Sequence, residues 1–188
     1  MNTRASGFTL IELMIAVSIF AILVLLAGPM YADFMGNTQI RTAAENSLAG
    51  VRLAQTSAIR DNRPAKVVID PSAGGGWAVY LYDENIGDYA VLPVETYSWT
   101  AGAPKTTVTL AGGGTEIAFD GLGRVCTTVL CSSTGAATTP VTEIDVTNPS
   151  VSVSGRRPLK VMISAIGGTT GTKLCDPAVL APDPRSCS

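Results

Sequence analysis

The strongest constraint on this chain is a run of 25 residues, Phe8 to Ala32, whose only charged member is Glu12. About 20 apolar residues are enough to cross a bilayer as a helix, and a helix satisfies its own backbone hydrogen bonds there. Met1 to Gly7 (MNTRASG) is polar and places one cation, Arg4, just before the run. Cationic flanks stay on the cytoplasmic side, so the segment is expected to enter the membrane with its C-terminal end facing out. A secretory signal peptide starts similarly, but its apolar core is roughly 7–15 residues and ends at a small-x-small cleavage site. Here the apolar stretch is longer, and no such site interrupts it before the polar sequence begins. The run also explains the mean hydropathy of +0.31 in a chain that is 46% hydrophobic and 15% charged. Without it about 160 residues remain, the size of one domain.

Glu12 is the odd residue in the run. An ionisable group costs about 2.5–3.5 kcal/mol at mid-bilayer and less near the edge, so it marks a function by default. No Lys or Arg lies within a helical turn of it. Its partner must come from outside this helix.

The residues GFTLIELMIAVSIFAILVLLAGP closely resemble the class III signal of type IV prepilins and pseudopilins. That resemblance implies cleavage by a prepilin peptidase after Gly7 and N-methylation of the new terminus, Phe8. It also supplies the missing partner: the acid at Glu12 is expected to meet the N-terminal amine of a neighbouring subunit. Opposite charges about 4 Å apart attract strongly where the dielectric is low.

Beyond the apolar run the chain turns polar without proline to Arg63, and Ile40, Ala44, Leu48, Val51, Ala54 or Gln55, and Ala58 recur every three or four residues. That is one helical stripe. Pro64 is expected to close the helix. Gly28-Pro29 should kink or locally melt a rod that, over Phe8 to Arg63, would be about 84 Å long. Past Pro64, β-like runs alternate with glycine-rich turns. The expected strands are 65–70, 77–82, 106–110, 116–119, 124–128, 143–146 and 159–164. In Trp77 to Tyr82 the alternation is clear, but both faces are apolar and the inner one stays open.

The expected fold is therefore α+β, type IV pilin-like. A leader (1–7) precedes a transmembrane helix (8–32) and an amphipathic helix (33–63), packed on a mostly antiparallel, β-rich periplasmic domain (64–188). Within the superfamily the domain looks most like the GspH/FimT/FimU branch of minor pilins and pseudopilins. LAQTSAIRDNRPAKVVID, IAFDGLGRV and PLKVMIS with its following glycine turn and LC carry this looser resemblance.

Cys126, Cys131, Cys175 and Cys187 all lie beyond the membrane segment, where thiols are oxidised and an even count reads as two disulfides. Of three pairings, closeness in sequence favours Cys126–Cys131 and Cys175–Cys187. A four-thiolate zinc site is the rival, but C-x4-C and C-x11-C do not match the usual knuckle spacing. Gly74-Gly75-Gly76 and Gly112-Gly113-Gly114 lack the GK[ST] ending and a following helix, so they read as turns rather than phosphate cradles. Arg41, Arg52 and Arg63 are spaced by 11 residues and so share one helix side, which either meets acidic groups on a neighbouring subunit or, as surface ion pairs contribute little, is a solvated face.

The chain has no histidine, which excludes Ser-His-Asp and Cys-His catalysis and His-containing zinc sites. No metal site, cofactor motif or acid pair emerges, and the expected role is not enzymatic. The net charge of −2 and pI near 5.1 argue against a protein that coats nucleic acid. FimT-like relatives are associated with DNA capture through a basic stretch before a late Leu-Cys. Here that stretch reads Thr170-Gly171-Thr172-Lys173, with Lys173 as its only cation. Arg156 and Arg157 are the other candidate DNA contacts, but phosphate binding needs several cations together. The resemblance implies as partners the other minor pilins or pseudopilins and the major subunit, the prepilin peptidase and the inner membrane. The expected role is a minor pilin at the tip or initiation complex of a type IV pilus. The alternatives are the H-type pseudopilin of a type II secretion system and a DNA-binding minor pilin.

Overall fold

The computed structural model describes residues 8–128, 130–131, 137, 139–166 and 169–187. Its first element is a 52-residue helix, α1 (Leu10–Asp61), about 78 Å long at 1.5 Å per residue. It starts two residues later than expected because Thr9 is extended and caps the first turn, its hydroxyl accepting from the Glu12 N–H at 3.3 Å. Its end also comes earlier. Asn62 adopts the left-handed conformation at φ 48°, and the N–H groups of Asn62 and Arg63 bond back to the carbonyls of Ile59 and Ala58. This C-cap stops the helix before Pro64 acts.

The β-domain forms two antiparallel sheets where a single sheet was expected. In the first, β1 (Ala65–Asp70) pairs with β2 (Gly76–Asp83) and β6 (Glu116–Phe119). The outer edge of β2 pairs with β3 (Asp88–Tyr89) at one end and β4 (Glu95–Ser98) at the other. The second sheet runs β5 (Thr107–Ala111), β7 (Glu143–Thr147), β8 (Leu159–Ile166) and β9 (Thr169–Cys175). Across β7 and β8, Lys160 joins both Glu143 and Asp145.

α1 is the spine between them, touching β1, β2 and β6 of one sheet and β7, β8 and β9 of the other. Ile40, Ala43, Ala44, Ser47, Gly50, Val51, Ala54, Ser57 and Ala58 form its buried stripe, at the three- and four-residue spacing of one helix face. Burying each large aliphatic side chain contributes about 1.5–3 kcal/mol. The open question in β2 is settled: Trp77 and Val79 point to the helix, while Ala78 and Tyr80 stay half-buried on the outer face. The cause is Gly50, where a Cβ would stand 2.7 Å from the Trp77 ring, so only glycine lets the indole lie on the helix backbone.

The expected strand 124–128 does not form; among its described residues only the isolated bridges Phe119 to Val125 and Thr128 to Ala137 appear. Asp120 accepts from the N–H groups of Leu122 and Arg124, curling the chain into a tight turn with Gly123 at φ 77°. This turn lies on the last turns of α1: a Cβ on Gly121 would meet Asn62, and one on Gly123 would meet Ile59.

Candidate functional site: the apolar arm and its junction with the β-domain

The lower arm of α1 has no covering. From Phe8 to Leu25 its large apolar side chains are exposed on every side, Phe8 by 84%. A helix that is apolar all round belongs in lipid or against other apolar helices. Polar groups in this arm turn back on the helix itself, as where Ser18 donates to the Met14 carbonyl at 2.8 Å. Among the described residues, no single helix is long and apolar enough to cross a membrane. Leu10–Leu25 and Met30–Asp61, bent by 40° between them, pass together by length and composition. α1 continues as helix through Gly28 and through Pro29, which has no N–H to donate to the ladder, so the rod bends there without melting. A Cβ on Gly28 would meet nothing.

Glu12 sits at the third position of α1, one turn after Thr9, at the positive end of the helix dipole. With Thr9 it makes a T-x-x-E capping signature that the sequence carried unread. Phe8 lies just before the cap. Gly7 lies outside the described residues.

Above the arm, α1 is clamped to the loop 148–157. Asp33, the first charged residue after Ala32, accepts from the Ser152 N–H at 2.9 Å and the Ser152 hydroxyl at 2.5 Å. Those bonds, the hydroxyl's first, hold its carboxyl below the ordinary range. Asn37 donates to the Gly155 carbonyl at 2.8 Å and accepts from the Arg157 N–H at 2.9 Å. Buried Asn148 reaches the Gly36 carbonyl and Gln39. A Cβ on Gly36 would overlap Val151, so glycine is what lets the loop lie flush on the helix. No sequence pattern announces this clamp, because its partners are more than 100 residues apart.

The three candidate DNA contacts are committed elsewhere in part. Arg156 turns inward and donates to the Val151 carbonyl at 3.0 Å; Lys173 donates to the Ser186 carbonyl at 2.7 Å. Arg157 is exposed beside the clamp. Arg41 and Arg52 stay exposed on α1, whereas Arg63 lies past the end of the helix and is half-buried. Arg41 pairs with Glu45, Arg52 points to the Thr172 hydroxyl, and Arg63 donates to the Tyr82 carbonyl.

The four sulfurs form two disulfides, Cys126–Cys131 and Cys175–Cys187. The first closes the loop after the Asp120 turn. The second ties the C-terminal segment back to β9, where Asp176 and Ser186 also bridge.

Residues 2–28 match the family described as the prokaryotic N-terminal methylation motif, and residues 43–167 match the family described as type II transport protein GspH. A type IV major fimbrial protein FimA of Dichelobacter nodosus is 35% identical over 62% of this chain and 73% of its own length. A fimbrial protein of Pseudomonas aeruginosa is 44% identical over 30% of this chain and 36% of its own. The crystal structure of the Pseudomonas aeruginosa type IV minor pilin FimU superposes with a TM-score of 0.46 and 16% identity, over 74% of this chain and 92% of that one. Matched at both its signal and its β-domain, the chain belongs to the GspH family of type IV pilin-like subunits.

Proposed function

We propose that the protein is a minor pilin: a structural, non-catalytic subunit cleaved after Gly7, methylated on Phe8 and held in the bacterial inner membrane by 8–32. Its β-domain stands in the periplasm, and the subunit enters the tip or initiation complex of a type IV pilus with other minor pilins. The observation that carries this reading is the uncovered apolar arm, with Glu12 in its first turn, on the same helix that forms the spine of the β-domain. An arm of this kind is held by lipid in the free subunit and by neighbouring arms in a filament. The resemblance of the β-domain to GspH favours a second reading, the H-type pseudopilin of a type II secretion system. Retained pili but lost secretion in a deletion strain would select the second reading; lost piliation with normal secretion would select the first. Processing is tested by the intact mass of protein extracted from membranes. A mature chain starting at Phe8 with one added methyl group is expected, and Gly7→Val should leave it uncut. A wild-type chain that starts elsewhere removes the prepilin reading.

A further inference from the structure

The clamp between Asp33 and the loop 148–157 fixes one end of the β-domain at the point where the apolar run stops. Three features gather there. At the tip of the loop Val153 is 88% exposed, an aliphatic side chain with no covering. Tyr31 and Phe34, both exposed, flank Asp33 as aromatic rings do at a membrane–water boundary. Between α1 and the loop opens a groove of about 580 Å³, lined by Phe34, Asn37, Thr38, Arg41, Arg157 and Asp176 among others. Along α1 the groove runs from Phe34 to Arg41, about 3 to 13 Å past Ala32, so its lower end opens into the headgroup layer, about 5–8 Å thick, and Arg41 stands just above that layer with its long side chain able to reach down to it.

We infer that this end of the β-domain docks on the bilayer that the apolar arm enters, with phospholipid phosphodiester headgroups in the groove. The inference rests on the membrane reading of 8–32. Arg157 is exposed at the rim, and Arg41, joined to Glu45 through Nε, keeps its terminal nitrogens for a phosphate. Asp176 faces the same space and suits the ammonium of a phosphatidylethanolamine headgroup. Val153 enters the interface beside them. The free subunit is thereby held with its β-domain against the membrane, and joining a filament must lift it off.

The experiment uses the full chain in vesicles of phosphatidylethanolamine and phosphatidylglycerol, at low protein-to-lipid ratio, with quenchers on the headgroups or in the acyl region. All four native cysteines are in disulfides, so a fluorophore reacts with one introduced thiol: Val153→Cys, Phe20→Cys in the arm, or Val91→Cys. Val91 is 86% exposed and adjoins Ala90, which bonds to Leu81 near the far end of α1. The label at 153 should be quenched by headgroup probes and that at 91 should not. Replacing Arg41 and Arg157 with Gln should weaken docking about fivefold per arginine. Equal solvent access at 153 and 91, or quenching unchanged by the two replacements, overturns the inference. Quenching that follows the protein-to-lipid ratio assigns the surface to a second copy and overturns it as well. A label at 20 untouched by acyl probes sinks the membrane reading itself, which separates the two failures.

Discussion

The side-chain amide of Gln55 donates to the carbonyl of Gly123 at 3.0 Å, joining the last turns of α1 to the turn that follows β6. The contact works because Gly123 sits at φ 77° with Ile59 pressed against it. Gly123→Ala brings a Cβ to 2.7 Å from Ile59 Cδ1 in a left-handed conformation. We expect a loss of about 1–3 kcal/mol, read as a lower unfolding midpoint of the detergent-solubilised chain. Gly87→Ala supplies the comparison: it has a positive φ of 68° but open space around it, so it should cost clearly less.

Asp33, Asp120 and Asp183 are among the carboxyl groups that should titrate below the ordinary aspartate range. Asp33 is held down by the Ser152 hydroxyl and then its N–H, and Asp183 by the Arg185 guanidinium, to about 2. Burial pushes Asp120 up, but hydrogen bonds from Arg124 and Leu122 outweigh it. A depressed folded value means that the stabilisation is present above the unfolded value of about 3.9 and is lost as pH falls through the folded one. NMR of the amides of Ser152, Leu122, Arg124 and Arg185 should therefore show midpoints below that reference, with stability falling over the same acid window. Midpoints at or above it would contradict the hydrogen bonding described.

The two disulfides should differ in what they protect. Replacing Cys175 and Cys187 by Ser releases the segment that Asp176 and Ser186 bridge to β9, and trypsin should then cut after Arg185 much faster. The loop closed is short, so the loss of stability should stay within about 3 kcal/mol. The Cys126/Cys131 double variant should leave that cleavage rate unchanged.

On the proposed pilin reading, Glu12 favours assembly. An unpaired carboxylate in hydrocarbon is costly, whereas the amine of Phe8 from an adjacent subunit offsets that cost. Glu12→Gln should insert and be cleaved normally yet co-purify several-fold less with other minor subunits; Glu12→Leu should be similarly defective. Wild-type co-purification of both, at equal amounts of mature protein, would end the electrostatic account.

Where local pattern decides an element, the sequence showed it. β1 and β6 stand at their expected bounds, because AKVVID and EIAF lie between clear turn signals. β4 and β9 were not foreseen, since ETYS and TTGTKLC lack apolar alternation and pair through their neighbours β2 and β8. The stretch 124–128 misled for the converse reason: its β-branched residues suggest a strand, but the Asp120 side chain and a neighbouring disulfide curl it. Thr9 and Glu12 carry a helix-cap pattern in plain sequence, three residues apart at the start of the apolar run. The Asp33 to Ser152 clamp had no signal at all, because it is a product of how the second sheet lies along α1.

The 40° bend of α1 lies just below Asp33, the first residue tied to the β-domain. Above it α1 and the two sheets packed on it make one lever arm, while below it, among the described residues, only the rod continues. From Asp33 to Asp61 that lever is about 42 Å long, so changing the bend by 10° swings its far end through about 7 Å. On the proposed filament reading, a few backbone angles near Gly28 would therefore shift the far surface of the β-domain by more than one strand spacing, with no contact in the core disturbed.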